Sequence, residues 1–458
     1  MSSTNFFICF LLFSTLFSSL SSSKPITLNL SPIPKLVSSL KPREVISHIA
    51  KSTLKRAIHL KYHNKYTLRP TYATPLFAQS AGDYSISLSI GTPPQKIPAF
   101  FDTGSSLVWV PCTSRYSCLN CTENNEKITT FLPKKSTSKV SVKCNDKKCC
   151  WLDQPNAMAS CPTCTRSIPG SCSKPCSYIQ AYGSGATLGE AIFENLNLDG
   201  KVVPDFLVGC SSISELMPQG IIGFGRSPTS LPNQLKIGKF SHCLVSHKFD
   251  DTPKSSRLIL GDTGVLIPGV KYTPLLKNPP VLPFNEYYYV NLEQITVGKR
   301  IVKVPHDIHV PDPNGNGGTI VDSGSTLTSI APNVFDPIVE EFVTQMSPAQ
   351  QKRVEIAEAS IGNILCVNVK GLRKPAFPKV VFHFKGGAKM LLSVANYFNG
   401  GANYLCLPFL NATFAVGQGG SGPAIIVGNY QQQNYYIEYD LKNERLGLKK
   451  QNCLKNRQ

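Results

Sequence analysis

The chain carries one tetrapeptide pattern twice, as Asp102-Thr103-Gly104-Ser105 and as Asp322-Ser323-Gly324-Ser325. Each copy closes an apolar run, Ile97 to Phe101 in the first and Thr319-Ile320-Val321 in the second. A strand that ends in a carboxylate, a small hydroxyl residue and a glycine presents that carboxylate on a tight turn. Two such turns, one from each half of the chain, could meet face to face. The chemistry that needs such a meeting is hydrolysis by a carboxylate pair sharing one proton. One copy alone carries little, because Asp and Gly are ordinary turn residues. Asp262-Thr263-Gly264 shows the contrast: it follows the strand-like Arg257 to Leu260, is succeeded by Val265, and reads as a plain hairpin turn. The other two each have a distant companion, Ile221-Ile222-Gly223 and Ile426-Val427-Gly428. The same features in the same order and at similar spacing point to an internal duplication.

The elements that must hold these turns are mostly strands. After Gly82 the chain reads as short β-rich runs broken by Gly, Pro, Asn and Ser, and Asp83 to Ile90 alternates as a first strand does. Within this region helical periodicity is convincing once, from Pro332 to Met346. There Phe335, Ile338, Val339, Phe342, Val343 and Met346 recur on one face, as a packing helix requires. Charged residues make up only 16% of the chain, which suits a body of buried strands. The halves are expected to divide between Gly264 and Phe284, giving lobes at 81–271 and 272–458.

These motifs resemble the pepsin-like aspartic proteases, most closely their nepenthesin-like plant branch, over roughly Gly82 to Cys453. Trp109 follows Asp102 at the family's spacing, and Tyr182-Gly183-Ser184-Gly185 is similar to the family's flap. Tyr287 to Leu292, Ile295 to Gly298 and Gly317 to Asp322 are typical of the plant branch, and the saposin-like insert of other plant aspartic proteases is missing. The resemblance implies an all-β, bilobal fold, two pseudo-two-fold related lobes with a cleft between them. It implies an endopeptidase of acidic pH, in which Asp102 and Asp322 activate a water against polypeptides bound extended in the cleft. No metal and no cofactor are expected. Thr103 and Ser323 would cross-bond the two turns, and Ser105 and Ser325 would donate to the outer carboxylate oxygens. Gly104 and Gly324 would let backbone N–H groups approach, and Ile222 and Val427 would pack beneath. In the flap, with Gly183, Tyr182 would close over the substrate while Ser184 bonds the substrate backbone, and Trp109 would buttress Tyr182. Ala186 departs from the hydroxyl residue usual in the flap. A rival reading is a catalytically silent binding protein on the same fold, similar to the wheat xylanase inhibitors. That group is marked by a damaged catalytic set, whereas both turns and the flap tyrosine are intact here.

The apolar run Phe6 to Phe17 and the serines up to Ser23 suit a signal peptide at 1–23, too short for a membrane span. A secreted monomer, apoplastic or in the cell wall with the vacuole as the other destination, is expected, with no stable membrane anchor. Between Lys24 and Arg69 ten Lys/Arg residues face the single acid Glu44, within a formal net charge of +19. Such a run could suggest nucleic acid, but it lacks interleaved aromatics or a recognised module. The resemblance gives it another role, an inhibitory propeptide at 24–80 whose cations lie near the carboxylates; Lys61 and Lys65 are candidates. Of 16 cysteines, ten fall between Cys112 and Cys176. Behind a signal peptide these read as disulfides in preference to zinc ligands. The resemblance implies a Cys366–Cys406 bridge, and Cys210 is expected to pair with Cys453. Asn411 is the preferred glycan site over Asn120, which sits in the crowded Cys118-Leu119-Asn120-Cys121.

Overall fold

A computed structural model describes residues 26–32, 42–61, 83–121, 128–152, 157–159, 174–183, 185–198, 200–246, 255–262, 264, 266–346, 364–372, 376–392, 398–401, 403–412 and 422–454. The expected signal peptide, Ser184, Lys65 and Cys161, Cys164 and Cys172 lie outside these residues, as does the Lys61 side chain.

Strand Tyr84–Ile90 alternates buried and half-buried residues, so its Tyr84, Ile86, Leu88 and Ile90 face the core. It belongs to a 16-stranded sheet that makes up the first half and wraps behind the second. Three further sheets, of five, four and three strands, build the second half. The fold is all-β and bilobal.

The duplication seen in the sequence is a repeat of strand connectivity. Strand Gln95–Asp102 runs parallel to Gly220–Gly223, with Gly223 opposite Asp102, and Gly220–Gly223 in turn runs antiparallel to Val108–Pro111. In the second half Thr319–Val321 runs parallel to Ile425–Val427, which runs antiparallel to Thr328–Ile330. In both, the strand that ends at the aspartate is flanked by the apolar pair that precedes the distant glycine.

The lobes share a back layer. Strand Lys239–Cys243 pairs with Tyr435–Asp440 from the far end of the chain, and Ser256–Leu260 pairs with Ile26–Pro32 from the near end. Between this layer and the aspartate turns lies an aromatic cluster. The Phe101 and Phe224 rings meet edge-on at 4.8 Å, Phe240 stacks on Tyr439 at 4.4 Å, and the Tyr288 hydroxyl donates to the Phe224 carbonyl at 2.7 Å. The helix expected near Pro332 runs Pro332–Thr344 and buries Val334, Phe335, Ile338 and Phe342.

A second long helix, Pro42–Lys61, comes from the basic N-terminal segment. Its buried face carries Ile46, Ile49, Ala50, Thr53, Arg56, Ala57 and Leu60. Those positions keep the three-and-four spacing of an amphipathic helix, with one cation inside the apolar stripe.

The bridges correct one expectation. Cys366 pairs with Cys406, as the resemblance implied, but Cys210 pairs with Cys112, and Cys453 pairs with Cys243. Sheet register decides this. Strands Val108–Pro111 and Lys201–Glu215 run parallel with Cys210 opposite Val110, which carries Cys112 alongside. Cys243 lies opposite Tyr436 at the end of the shared back layer, where the chain returns with Cys453. Cys118–Cys121 and Cys149–Cys176 are also bridged, so the first Cys-x-x-Cys pair is a disulfide.

Candidate active site

The two turns meet at the centre of the molecule. The Thr103 N–H donates to Ser323 Oγ at 3.0 Å, and the Ser323 N–H donates to Thr103 Oγ1 at 2.9 Å. Each hydroxyl then donates across the interface, Thr103 Oγ1 to the Val321 carbonyl at 3.2 Å and Ser323 Oγ to the Phe101 carbonyl at 3.1 Å. These bonds are buried and reciprocal, so moving one turn against the other would leave several polar groups unpaired at once.

Asp102 and Asp322 hang from this clasp side by side. Ser105 Oγ donates to Asp102 Oδ2 at 2.5 Å, and Ser325 Oγ donates to Asp322 Oδ2 at 2.6 Å. The Gly104 and Gly324 N–H groups each donate 2.9 Å to the inner oxygen of their own aspartate. A Cβ on Gly104 would stand 2.5 Å from Asp322 Oδ1, and one on Gly324 would run into Asp102 Oδ1. Only residues without a side chain let the carboxylates come this close.

The N-terminal helix delivers a cation to the pair. Arg56 Nη2 donates to Asp102 Oδ1 at 2.6 Å and to Asp322 Oδ1 at 3.1 Å, while Nε donates to Asp322 Oδ2 at 2.7 Å. All three side chains are buried. Burial pushes both carboxyls up. At Asp102 it prevails over the Arg56 charge, helped by repulsion from Asp322, and the pKa is raised. At Asp322 the Arg56 charge and hydrogen bonds, with those of Ser325 and Gly324, more than offset burial, and the pKa is lowered. Two neighbouring carboxyls whose affinities are pulled apart can hold a single proton between them. For Arg56 burial works against the charge, and the two carboxylates overcome it, so its proton is held more firmly than usual.

The predicted flap is a hairpin. Strand Ser177–Tyr182 pairs with Gly185–Leu198, and Tyr182 lies opposite Gly185. Gly183 packs directly on the Arg56 backbone, which a Cβ there would strike. Tyr182 is buried, and its hydroxyl faces the Trp109 indole without closing a full hydrogen bond. Ala186 is half-buried beside Thr187, whose Oγ1 donates to Ser211 Oγ at 2.8 Å.

Arg56 is the residue that sequence reasoning missed. Its signal was available: an arginine within the apolar stripe of an otherwise basic helix. Glu286 was also missed, a buried acid at the edge of the site. Of the glycan candidates, Asn120 is exposed, whereas Asn411 is half-buried and its Nδ2 donates to Asp336 at 3.0 Å. Among the described residues no group of His, Cys, Asp and Glu has the arrangement of a metal site. No helix among them is long and apolar enough to cross a membrane.

Two β lobes joined behind a central pair of clasped aspartate turns define the pepsin-like class. The family model described as xylanase inhibitor N-terminal matches residues 84–262, and the one described as xylanase inhibitor C-terminal matches residues 287–450. A probable aspartyl protease of Arabidopsis thaliana, At4g16563, is 32% identical over 82% of this chain and 83% of its own. Aspartic proteinase nepenthesin-1 of Nepenthes gracilis is 32% identical over 81% of this chain and 78% of its own. The chain belongs to the pepsin-like aspartic protease family. Among solved structures, basic 7S globulin from soybean superimposes with a TM-score of 0.60 at 19% identity, over 93% of this chain and 96% of that one. That likeness is one of fold.

Proposed function

We propose that the chain is the precursor of a secreted aspartic endopeptidase, held inactive by its own N-terminal segment and released by acid. The observation that carries this reading is the clasped Asp102/Asp322 pair with Arg56 spanning it. Once Arg56 leaves, the pair binds a water in its place. The ionised member takes a proton from that water as its oxygen attacks the scissile carbonyl carbon. The protonated member donates to the carbonyl oxygen. The C–N bond then breaks as a proton passes to the leaving amine, and the pair returns to its single-proton state. The roles belong to the pair as a unit. Tyr182 and the Gly183 tip fold over the bound peptide, and Trp109 backs Tyr182.

The N-terminal segment 24–80 acts as the propeptide in this reading. At neutral pH its guanidinium balances the carboxylates. Acid weakens that hold by protonating them, and the segment is then cut away. The disulfides suit an oxidising compartment, in line with secretion.

The matched family models bear the name of xylanase inhibitors, which favours a second reading, a binding protein with an idle cleft. One experiment separates them: cleavage of a denatured protein by the purified precursor between pH 2 and 7, with pepstatin and Asp102→Asn as controls. Acid-dependent cleavage abolished by both supports the endopeptidase. No cleavage at any pH, after removal of the N-terminal segment from a folded protein, overturns it in favour of the binding role.

A further inference from the structure

Beside Asp102 the structure contains an acid that the hydrolytic scheme does not use. Glu286 closes the short 3-10 turn Phe284–Glu286, and its carbonyl accepts from the Arg226 N–H at 2.9 Å. It is only 8% exposed. The Ser106 and Ser227 hydroxyls face its carboxyl. Among the described residues no ion pair reaches it; the nearby Arg56 spends its donors on Asp102 and Asp322.

Glu286 lines a pocket whose other walls include Ser105, Ser106, Trp151, Gln180 and Thr229. Two of these tie the pocket to the reacting centre. Ser105 holds Asp102 Oδ2, and Gln180 lies on the flap strand that ends at Tyr182. No residue of the N-terminal helix lines the pocket. It therefore lies beside the place of cleavage, clear of the helix that covers the carboxylates. Its wall combines a buried acid, hydroxyl and amide groups, and one aromatic ring. An acid together with an indole ring is a combination suited to a cation on an aliphatic stem.

We infer that this pocket, whose enclosed room of about 10 Å³ takes one water-sized group, is a specificity subsite in which Glu286 receives the ammonium head of a substrate lysine close to the scissile bond. The inference rests on the endopeptidase reading for its substrate and on the pocket alone for its chemistry. The ammonium head takes the water-sized place at the Glu286 carboxylate, and the stem runs out along Trp151. Lys148 does not serve as that cation: its Nζ donates to the Asp205 carbonyl at 2.9 Å and sits 5.5 Å from the Trp151 ring centre.

The preference depends on pH in a definite direction. Burial, with Asp102 adding, pushes the Glu286 carboxyl up to about 7, against the facing Ser106 and Ser227 hydroxyls and the Arg56 charge. Tyr182 and Tyr287, the other titratable groups facing it, stay neutral throughout this range because burial pushes both well up. Below that value the pocket holds a neutral acid and discriminates little. As pH rises toward it, the carboxylate forms and favours the cation, which in turn holds the proton off.

The test compares peptides that differ only in having lysine or norleucine at one position, scanned across the residues flanking the scissile bond. The kcat/KM ratio of each pair is read at pH 4 and pH 6 for the activated protein and for Glu286→Gln. At one position the lysine preference should rise about tenfold or more between the two pH values in the unaltered protein and stay flat in Glu286→Gln. A preference that is equal in the two proteins, or no lysine preference at any position, overturns the subsite. The same pairs are titrated calorimetrically onto activated Asp102→Asn with and without Glu286→Gln. If peptide cleavage itself fails, these affinities still decide the subsite: a lysine preference that Glu286→Gln removes upholds it, and equal affinities overturn it.

Discussion

Arg56 grips Asp322 with two nitrogens, Nε to Oδ2 at 2.7 Å and Nη2 to Oδ1 at 3.1 Å, although the two residues lie 266 positions apart in the chain. The same Nη2 reaches Asp102, so one guanidinium balances both carboxylates. A planar fork does this; an ammonium is a point charge and cannot match both partners. Asp322 has its pKa depressed, so its ionised form favours the closed state above the ordinary carboxylate range. That contribution is lost as pH falls through the lowered value.

Arg56→Gln should therefore release the N-terminal segment at higher pH than the unaltered precursor. Removing one partner of a buried ion pair costs about 3–5 kcal/mol, which is more than a hundredfold in the closed-to-open ratio. Arg56→Lys should fall between the two. The midpoint pH at which helix Pro42–Lys61 loses amide protection, followed by hydrogen-exchange mass spectrometry with every variant in an Asp102→Asn background to suppress self-cleavage, is the measurement. Equal midpoints would show that other contacts of the helix hold the precursor closed.

Ser105 donates to the ionised form of Asp102, which favours the charged state. Ser105→Ala should push the Asp102 carboxyl further up and, because Asp102 is the member that holds its proton more firmly, move the alkaline limb of the kcat/KM profile to higher pH. Asp102→Asn and Asp322→Asn should each abolish turnover, since neither leaves a group able to exchange the shared proton. The pH profile of a single fluorogenic peptide distinguishes the serine effect from simple misfolding, which would lower the rate at all pH values alike.

His242 tests acid stability. Its ring lies 5.4 Å from Phe101 and 5.9 Å from Tyr439, and neither ring nitrogen has a hydrogen-bond partner among the described residues. Burial pushes its pKa down to about 3. The unfolded chain takes a proton near pH 6.5 and the folded one does not, so this residue costs stability progressively from about pH 6.5 down to about 3. The full effect is on the order of 5 kcal/mol. His242→Leu should narrow the gap in urea midpoint between pH 7 and pH 3.5, whatever it does at pH 7. An unchanged gap would mean that the ring becomes protonated in the folded protein.

The Cys243–Cys453 bridge closes a separation of 210 residues and pins the last strand region to the layer shared by both lobes. Replacing both by serine should lower stability by about 2–5 kcal/mol. Peptide mapping under non-reducing conditions should recover Cys243 with Cys453 and Cys112 with Cys210. Recovery of Cys210 with Cys453 would restore the pairing expected from sequence.

The sequence by itself determined whatever depends on near neighbours. The Asp-Thr/Ser-Gly-Ser turns, the alternation of Tyr84–Ile90 and the apolar face of Pro332–Thr344 are local patterns, and local periods set which side of an element is buried. Because the turn was written twice, even the pairing of two distant halves was legible. Tertiary structure decided the rest. Nothing near Cys210 in the chain says that Lys201–Glu215 runs beside Val108–Pro111, so its disulfide partner followed from sheet register alone. Arg56 is one cation among ten in a basic run, and only the docking of its helix face selects it for the carboxylates. Glu286 precedes a run of three tyrosines and gains its meaning from Ser106 and Ser227, which loops from elsewhere in the chain bring to it. Contacts across the fold depend on which elements pack together, and that choice is made by the whole core at once.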